Sequence, residues 1–538
     1  MARISRAVIA VALATLGASP ALAQLTPPPG AVAPTQSIEI FSVPFTITQP
    51  GSYRVARNLT ATGPEPMISV QAKDVTLDLG GHTLDGAGIA IYGIFIEGDG
   101  DRLHVRNGQV TNTVGSNVVA NFRTITIEDM ILSASVSGNG IGAASGQPAI
   151  VRNVLVQNPG FNGVALSPGS VAENVVVVGA GNDGFSVSSR SVFRNCVALD
   201  CARHGFFFGT NGGAVLENCS ANDNGGTGFW LRPGSVVRGG HAERNGQERA
   251  RDRGGAAPPA RPQDGPSFDA AGAEPIPHPH DGYENPIVVD RRTGEQIAGL
   301  VTLPLAPRDR GLTSGGDGIR AGAGCTIEAC VVLNNHGDGI AAGDGSTVIG
   351  CTARDNFNNG ILVGASATVS RCTTTNNDAH GIVAGLSCHI SDCTANGNGA
   401  TGILADDQSM LERCLASSNG ANGFQADIAC SLIGCIARGN TSSGILVSGE
   451  DSVVRDCTAR ANGAEGIFVD SGSGAHIRGC YVATNLGHGI RIVGTFAFVI
   501  HNHVEADSIQ SEQSSNRIGP IHTGTDLTTA PVWANFRF

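Results

Sequence analysis

The second half of the chain alternates apolar and polar residues in short runs that recur at a nearly constant step. In Gly360-Ile361-Leu362-Val363, the period of two predicts that Ile361 and Val363 point inward from a strand and Leu362 outward. Each repeat reads Gly-Ile-x-Val, a turn, x-Val-x-x-Cys-Thr-Ala, a second turn and Asn. The pattern therefore predicts a solenoid in which one coil of three short strands and three turns is stacked many times.

Cysteine and asparagine mark fixed positions in these coils. Eight cysteines follow one another at steps of 21, 22 or 23 residues, and an asparagine stands five residues after each of them. The asparagines are expected to stack their amides along the axis and to satisfy polar groups at a buried turn. Stacked equivalent positions also favour reduced, buried thiols over disulfides, although a local bridge such as Cys325–Cys330 stays open. The two columns are Cys330, Cys351, Cys372, Cys393, Cys414, Cys435, Cys457 and Cys480, and Asn335, Asn356, Asn377, Asn398, Asn419, Asn440, Asn462 and Asn485.

The repeats and the breaks between them divide the chain into six segments. Residues 1–23 resemble a signal peptide, with a charged start, an apolar core and the small-x-small site Ala21-Leu22-Ala23. Residues 24–74 form a lead-in and an N-terminal cap, and residues 75–245 form a first solenoid array. Residues 246–313 are an irregular insertion rich in Pro, Arg, Asp and Gly. Residues 314–505 form a second array that continues the same solenoid, and residues 506–538 are a C-terminal tail.

Composition and net charge reduce the classes of partner that the protein is expected to bind. The net charge is −12 and Lys73 is the single lysine, so nucleic acid is not expected as a partner, because phosphate binding needs clustered cations. After the predicted signal peptide, no run of about 20 apolar residues indicates a transmembrane segment. The protein is expected to be exported, to the periplasm, the cell surface or the extracellular space. Oligomeric state is not readable from the sequence.

Two stretches carry a family resemblance. Val75 to Gly86 (VTLDLGGHTLDG) resembles the opening coil of secreted bacterial β-helix-repeat proteins of the pectin-lyase-like superfamily, and the tail from Asn516 to Phe536 is also similar to theirs. The resemblance covers about residues 38 to 505. It implies an all-β fold, the right-handed parallel β-helix, here with roughly seventeen coils. Members mostly lack an assigned activity, while better-understood relatives cleave, hydrolyse or epimerise acidic polysaccharides, so the resemblance implies a glycan partner.

Acid–base chemistry has two candidate pairs in the column of polar residues that precede each Gly-Ile or Gly-Phe. Asp183 and His204 fall on adjacent coils, where a carboxylate could orient an imidazole. Asp317 and Asp338 are also on adjacent coils. When two carboxylates lie so close together, the pKa of one rises above that of the other, and the one with the higher pKa can act as a proton donor. The first pair resembles a partial polygalacturonase motif, although no double-Asp motif occurs. The alternative is that Asp and His in this column only form turns.

Sugar binding and calcium binding have candidates in the same region. Phe207 and Trp230 are expected to face outward on adjacent coils, beside Ser186 and with Arg232 nearby, and exposed aromatic rings are surfaces on which sugars stack. The alternative is that these rings lie beneath the insertion. No metal site is predicted, but calcium stays possible because Asp183 and the two later aspartates could contribute oxygens.

Two functions from different classes therefore remain. The first is a secreted enzyme, a lyase or glycoside hydrolase of acidic glycans. The second is a non-catalytic envelope or extracellular β-helix protein that binds glycan. An enzyme should concentrate charged and aromatic groups over a few neighbouring coils, whereas a binding rod should spread them evenly.

Overall fold

The computed structural model is all-β across the residues that it describes, which are 37–97, 102–120, 125–143, 147–209, 212–246, 316–505, 508–523 and 530–537. The paired strands in these ranges are parallel and build a right-handed β-helix of about 18 turns, close to the seventeen predicted. Within the same ranges, no helix has the length and apolar character needed to cross a membrane. The predicted signal peptide and nearly all of the insertion lie outside the described residues.

Each turn of the solenoid contributes strands to three faces. Face one carries the strand that begins with the Gly-Ile motif, and its central residue points outward, as the period of two predicts. In Ile361–Val363 the two inward residues, Ile361 and Val363, are fully buried. The strands of face one are Phe45–Ile47, Ile68–Val70, Ile94–Ile96, Val118–Ala120, Ile141–Ala143, Val164–Leu166, Phe185–Val187, Phe206–Phe208, Phe229–Leu231, Ile319–Ala321, Ile340–Ala342, Ile361–Val363, Ile382–Ala384, Ile403–Ala405, Phe424–Ala426, Ile445–Val447, Ile467–Val469, Ile490–Ile492 and Ile509–Ser511.

Face two precedes the cysteine position and face three follows it. Four long strands run through both faces: Leu103–Thr111, Ile125–Ser133, Ala149–Gln157 and Val171–Val178. The other strands of face two are Ile38–Ile40, Gly51–Val55, Val75–Asp78, Val192–Arg194, Val215–Glu217, Val236–Arg238, Thr326–Glu328, Thr347–Ile349, Thr368–Ser370, His389–Ser391, Met410–Glu412, Ser431–Ile433, Val453–Arg455, His476–Arg478, Phe498–Ile500 and Arg517–Ile518. The other strands of face three are Leu59–Thr60, Thr83–Asp85, Val197–Leu199, Ser220–Asn222, His241–Glu243, Val331–Leu333, Thr352–Arg354, Thr373–Thr375, Thr394–Asn396, Leu415–Ser417, Ile436–Arg438, Thr458–Arg460, Tyr481–Ala483, His503–Glu505 and Asn535–Arg537, with Ile521–His522 paired to the last of these.

A two-residue corner joins face two to face three in the regular turns. In the coil that contains Thr368–Ser370 and Thr373–Thr375, the corner is Arg371, with a φ of 54°, followed by buried Cys372. The left-handed residue bends the chain, and the cysteine side chain then fills the interior as a small apolar group. All fourteen cysteines are buried and free, so the reduced alternative holds and the Cys325–Cys330 bridge does not form.

The buried asparagines form a continuous amide ladder from Asn224 to Asn485, which confirms the predicted stacking. Along it, each Nδ2 donates to the Oδ1 of the asparagine on the next turn at 2.8 to 3.0 Å. The same oxygen also accepts a main-chain N–H, as Asn398 Oδ1 does from Asn377 N at 3.2 Å. The ladder therefore satisfies polar groups that would otherwise be buried without partners.

The solenoid is continuous across the insertion. The strand Phe229–Leu231 pairs directly with Ile319–Ala321. In the amide ladder, Asn245 Nδ2 donates to Asn335 Oδ1 at 2.9 Å. Gly246 and Gly316, the described residues on either side of the insertion, are so close that a Cβ on Gly316 would lie 2.7 Å from the Cα of Gly246.

Strands extend beyond the predicted arrays at both ends. Gly51–Val55 already pairs with Val75–Asp78, so the segment predicted as a cap contributes turns of its own. In the tail, Asn535–Arg537 pairs with His503–Glu505. Asn535 Oδ1 accepts from Asn502 N at 3.0 Å and from Asn502 Nδ2 at 3.1 Å, and both asparagines are fully buried. The tail therefore completes a last turn instead of ending as a loose extension.

An outward column of face two alternates acidic residues and arginines through the first half of the molecule. Strand pairing places its members on consecutive turns. Within it, the Glu217 carboxylate lies 2.9 Å from the Arg194 guanidinium and 3.9 Å from that of Arg238. Because a shift of one turn would place like charges together, this charge ladder favours the observed stacking order. Its members are Glu39, Arg54, Asp78, Arg106, Glu128, Arg152, Glu173, Arg194, Glu217, Arg238 and Glu328.

Candidate functional site

The predicted catalytic residues all lie in one column, at the turn that leads into face one. Asp183 Oδ1 accepts the main-chain N–H of His204 at 3.1 Å, and Asp317 Oδ1 accepts that of Asp338 at 2.8 Å. Asp338 Oδ1 accepts from Asn359 N at 2.9 Å and from Asn359 Nδ2 at 3.0 Å. Each aspartate therefore caps the equivalent residue of the next turn with one oxygen, which is the turn-forming role that the sequence left open.

His204 is held as a neutral ring. Its Nδ1 accepts the main-chain N–H of Thr227 at 3.0 Å, so its remaining proton is on Nε2. Burial, together with the nearby Arg203 guanidinium, lowers the pKa of His204 to about 3. The Asp183 carboxylate binds the main chain of His204, whereas the sequence had suggested that it orients the imidazole. His204 is therefore suited to donate a hydrogen bond and not to accept a proton at neutral pH.

Asp183 is buried beneath an exposed arginine. Burial raises the pKa of Asp183 to about 6, and the Arg203 guanidinium, 3.8 Å from Oδ2, acts in the opposite direction. The inward residues below it are phenylalanines. Phe185 stacks on Phe206 with 4.6 Å between ring centroids, and Phe206 stacks on Phe229 with 5.0 Å. This column of rings is a rigid floor for the turns that carry Asp183 and His204.

Asp317 and Asp338 form a buried carboxylate pair. Burial raises the pKa of both, and the neighbouring Asp317 carboxylate helps to raise that of Asp338 to about 7. The Arg320 guanidinium lies 3.9 Å from Asp317 Oδ2 and favours the ionised form of Asp317. A Cβ at Gly337 would lie 2.2 Å from Asp317 Oδ1, so the glycine leaves room for this carboxylate. Because the two carboxylates interact and the Arg320 guanidinium lies beside Asp317, a proton shared by the pair is favoured on Asp338.

Two arginines and two aromatic rings surround His204 on consecutive turns. The His204 ring stacks on Phe207 at 5.5 Å and meets Trp230 edge to face at 4.9 Å. The Arg203 guanidinium lies over the Phe207 ring and the Arg320 guanidinium over the Trp230 ring, each 5.0 Å from the centroid. We refer to Arg203, His204, Phe207, Trp230 and Arg320 as the aromatic–arginine cluster. Both rings occupy outward positions of face one and are partly exposed, as predicted.

The structure separates the other two predicted binding residues. Ser186 pairs with Phe207 on the neighbouring strand of face one and so borders the cluster. Arg232 follows the strand Phe229–Leu231, at the opposite end from His204, where its Nε donates to Phe208 O at 3.2 Å and its Nη2 to Gly209 O at 3.1 Å. Arg232 is therefore engaged by main-chain carbonyls of the preceding turn, outside the aromatic–arginine cluster.

Sequence reasoning missed Arg203 and Arg320 as site residues. Strand pairing shows that Arg320 stands directly beside Trp230, although 90 residues separate them in the chain. The missed signal was the strand Ile319–Ala321, which begins just after Gly318 and thus continues the outward column across the insertion. Among the described residues, three other carboxylates approach within 4.8 Å of one another on a different edge, namely those of Asp406, Asp407 and Asp427. They are not the aspartates that the sequence suggested for calcium.

Comparison with known proteins identifies the fold family. No curated protein matches the chain. Among solved structures it is similar to the A-module of the Azotobacter vinelandii mannuronan C-5 epimerase AlgE4, with 14% identity over 70% of this chain and 91% of that chain and a TM-score of 0.39. It is also similar to the periplasmic alginate epimerase AlgG, with 10% identity over 74% and 84% of the two chains and a TM-score of 0.30. For the pectate lyase Pel9A the identity is 14%, the coverage 68% and 72%, and the TM-score 0.24.

These structural similarities concern the fold alone, because identity is low throughout. A family model described as a right handed beta helix region matches residues 92–238 and 384–519. The two matched segments together make up just over half of the chain. They fall on both sides of the insertion, in agreement with the strand pairing that joins the two halves. The protein therefore belongs to the right-handed beta helix family.

Proposed function

We propose that this protein is exported and binds an anionic polysaccharide across face one, at the aromatic–arginine cluster. The observation that carries the proposal is the placement of two guanidinium groups over two outward aromatic rings on consecutive turns. A pyranose ring stacks its apolar side on such aromatic faces. A guanidinium beside the ring pairs with a carboxylate through parallel hydrogen bonds.

The distribution of charge also favours the aromatic–arginine cluster as the binding surface. The chain carries a net charge of −12, so most of the molecule repels a polyanion. Arg203 is about half exposed and Arg320 is less so, at side-chain exposures of 51% and 23%. Both remain accessible enough to exchange part of their ring and carboxylate contacts for an incoming carboxylate. The cluster also concentrates charged and aromatic groups on a few neighbouring turns, which is the arrangement that an active groove has and that an even binding rod lacks.

Cleavage of the bound glycan is a second candidate function, favoured by the Asp317–Asp338 pair. Adjacent turns are about 4.8 Å apart, close to the roughly 5–5.5 Å that separates the carboxyl groups of retaining glycoside hydrolases. Asp338, whose pKa is about 7, would give its proton to the leaving oxygen, and ionised Asp317 would attack the anomeric carbon. Water would then release the sugar while Asp338 acts as base. In a lyase, the arginines would instead neutralise a uronate carboxylate while a base removes the adjacent proton.

Retention on immobilised polymers tests the binding function. The mature protein is expected to be retained by polygalacturonate and alginate but not by dextran, and retention should weaken as salt rises. The double variant Arg203→Gln/Arg320→Gln should lose at least tenfold in affinity, because it removes both cations and keeps the side-chain length. Arg438→Gln, an exposed arginine on face three, is the matched control and should bind like the wild type. Equal retention of the double variant and the control would refute the site.

Product analysis tests the cleavage function on the same polymers, with and without calcium. Unsaturated-product absorbance indicates lyase chemistry, and new reducing ends alone indicate hydrolysis. For hydrolysis, Asp317→Asn and Asp338→Asn should each remove activity while retaining the polymer. Asp378→Asn, an exposed aspartate elsewhere in the second half of the solenoid, serves as the control. Retention without any product identifies a binding protein that does not cleave.

A further inference from the structure

The regular step of the repeat widens near the C-terminal end, and the widening opens a cleft. Cys457 and Cys480 follow their predecessors at 22 and 23 residues, whereas the steps from Cys330 to Cys435 are all 21. The extra residues fall in the turn from face one to face two, which spans residues 470–475 here but only 364–367 in a regular coil. The enlarged turns enclose a cleft of about 420 Å³. Its lining consists of Glu450, Asp470, Ser471, Gly472, Ser473, Val493, Gly494, Thr495 and Phe496.

An exposed aromatic ring forms one wall of this cleft. Phe496 is 68% exposed, an unusual degree for a phenylalanine, and its φ of 53° lies in the left-handed region. Bulky residues rarely adopt this conformation. The neighbouring turn closes against it through the bridge between Ser473 and Thr495. The fold therefore presents the ring of Phe496 to solvent beside a concave surface, where a flat apolar ligand face can stack.

Apart from Val493 and the glycines, the remaining lining residues are polar or acidic, and Arg491, a cation outside the lining, opposes the rise that burial causes in the pKa of Asp470. Ser471, Ser473 and Thr495 contribute hydroxyl groups, and Glu450 and Asp470 contribute carboxylates. Ser471 Oγ donates to Ser448 O at 2.7 Å, which leaves its lone pairs directed elsewhere as acceptors. Gly472 and Gly494 complete the lining without side chains. One aromatic face with several hydroxyl and carboxylate groups in a shallow cleft is the chemistry that recognises a sugar ring.

We propose that this cleft is a second saccharide-binding site, specific for an uncharged pyranose. Phe496 stacks on the apolar side of the ring, and Glu450 and Asp470 accept hydrogen bonds from its hydroxyl groups. The two carboxylates repel a uronate, so this site differs in charge preference from the arginine-containing surface of face one. The two sites are separate, because the cluster around His204 and this cleft lie on turns far apart along the solenoid. The proposal does not depend on the function proposed for face one.

Titration calorimetry of the full mature protein tests the proposal with cellopentaose, xylopentaose, laminaripentaose and trigalacturonate as ligands. At least one uncharged oligosaccharide should bind, and trigalacturonate should give no binding signal in the Arg203→Gln/Arg320→Gln background, in which the face-one site is removed. Phe496→Ala should weaken the uncharged ligand about tenfold or more. Phe498→Ala, which truncates a 39% exposed phenylalanine outside the lining, should leave the affinity unchanged. Trp230→Ala should also leave it unchanged, which separates this cleft from the face-one site.

A charge-removal variant tests the specificity. In the Arg203→Gln/Arg320→Gln background, Glu450→Gln/Asp470→Asn should admit trigalacturonate to the cleft, because the repulsion is gone while the hydrogen-bonding groups remain. The proposal is overturned if none of the three uncharged oligosaccharides binds, or if Phe496→Ala binds them as tightly as the wild type does. It is also overturned if calcium chloride alone gives a binding signal, the Glu450→Gln/Asp470→Asn variant loses that signal, and no oligosaccharide binds. The cleft is then a cation site.

Discussion

Replacing Asn398 with alanine interrupts the amide ladder at its centre, and the structure sets the size of the effect. Asn398 Oδ1 accepts the main-chain N–H of Asn377 at 3.2 Å and its Nδ2 at 2.9 Å. Asn398 Nδ2 donates to Thr374 O at 3.4 Å and to Asn419 Oδ1 at 3.0 Å. Asn398→Ala removes these four bonds at once in a site that is about 1% exposed.

Loss of one of the four bonds leaves a main-chain donor without a partner, and only one, because Thr374 lies in a strand that is paired on both sides. The N–H of Asn377 and the carbonyl of Thr374 lose their side-chain partner, whereas Asn377 Nδ2 keeps Ala353 O and Asn419 Oδ1 keeps the N–H of Asn398. An unsatisfied buried donor costs about 1–3 kcal/mol, so the variant should lose about 2–5 kcal/mol when the lost side-chain packing is included. This is a large part of the stability of an ordinary domain.

Urea unfolding combined with hydrogen-exchange mass spectrometry measures this loss. Because a solenoid is stabilised by contacts between neighbouring turns, the exchange should accelerate most in peptides around Thr374 and Asn419, and less at the ends. The matched control is Asn358→Ala, which truncates an exposed asparagine of a nearby turn and should change stability by less than about 0.5 kcal/mol. Equal effects of the two variants would refute the assignment of the ladder as a stabilising element.

Three further outcomes are expected. Glu217→Arg places three arginines in a row in the charge ladder, so it should destabilise by about 1–3 kcal/mol in low salt and much less in 1 M NaCl; an effect that salt does not change would contradict the electrostatic reasoning. All fourteen cysteines are buried and free, so a thiol reagent at pH 8 should label none of them in the native protein and all of them after unfolding without reductant; burial also raises the pKa of the Cys430 thiol to about 11. The pKa of Asp338 rises from 3.8 to about 7 on folding, so between these pH values the native state binds more protons than the unfolded state. The free energy of unfolding should therefore fall as pH rises from about 4 through 7. Asp338→Asn should flatten that part of the melting-temperature profile, and an unchanged slope would contradict the raised pKa.

Much of the fold was predictable because its determinants repeat at a constant step. The inward positions of Ile361 and Val363, the stacked amides and the buried free thiols all follow from residues 21 to 23 apart that face the same environment on every turn. The Gly-Ile motif repeats because a Cβ at its glycine would collide with the next turn, as at Gly360, where Gly381 O would lie 2.7 Å away. A constant step makes such constraints visible in one sequence without any relatives.

The candidate site was less predictable because it forms across irregular steps. Trp230 and Arg320 become neighbours only when the chain is followed across the insertion, and the steps of the early turns vary too much to align Glu39, Arg54 and Asp78 by counting. The charge ladder was therefore missed, although all its residues were visible. The protonation of His204 was also beyond the sequence, because it depends on the main-chain N–H of Thr227 occupying Nδ1. Such contacts are set by turn geometry, which residue type alone does not fix.

Turn capping alone does not explain why two of the residues in the capping column are aspartates. A cap needs one acceptor, and Asn359 and Asn422 provide it on other turns at 3.2 and 3.1 Å without a titratable group. Asp317 and Asp338 provide the same acceptor at the cost of placing two buried carboxylates side by side. Asparagine at position 338 would keep the cap and remove the repulsion, so Asp338→Asn should be more stable than the wild type above pH 7. A variant that is more stable but no longer cleaves glycan would show that the carboxylate is retained for chemistry, since natural sites often sacrifice stability for function. A variant that is more stable and functionally unchanged would assign the pair to turn formation alone.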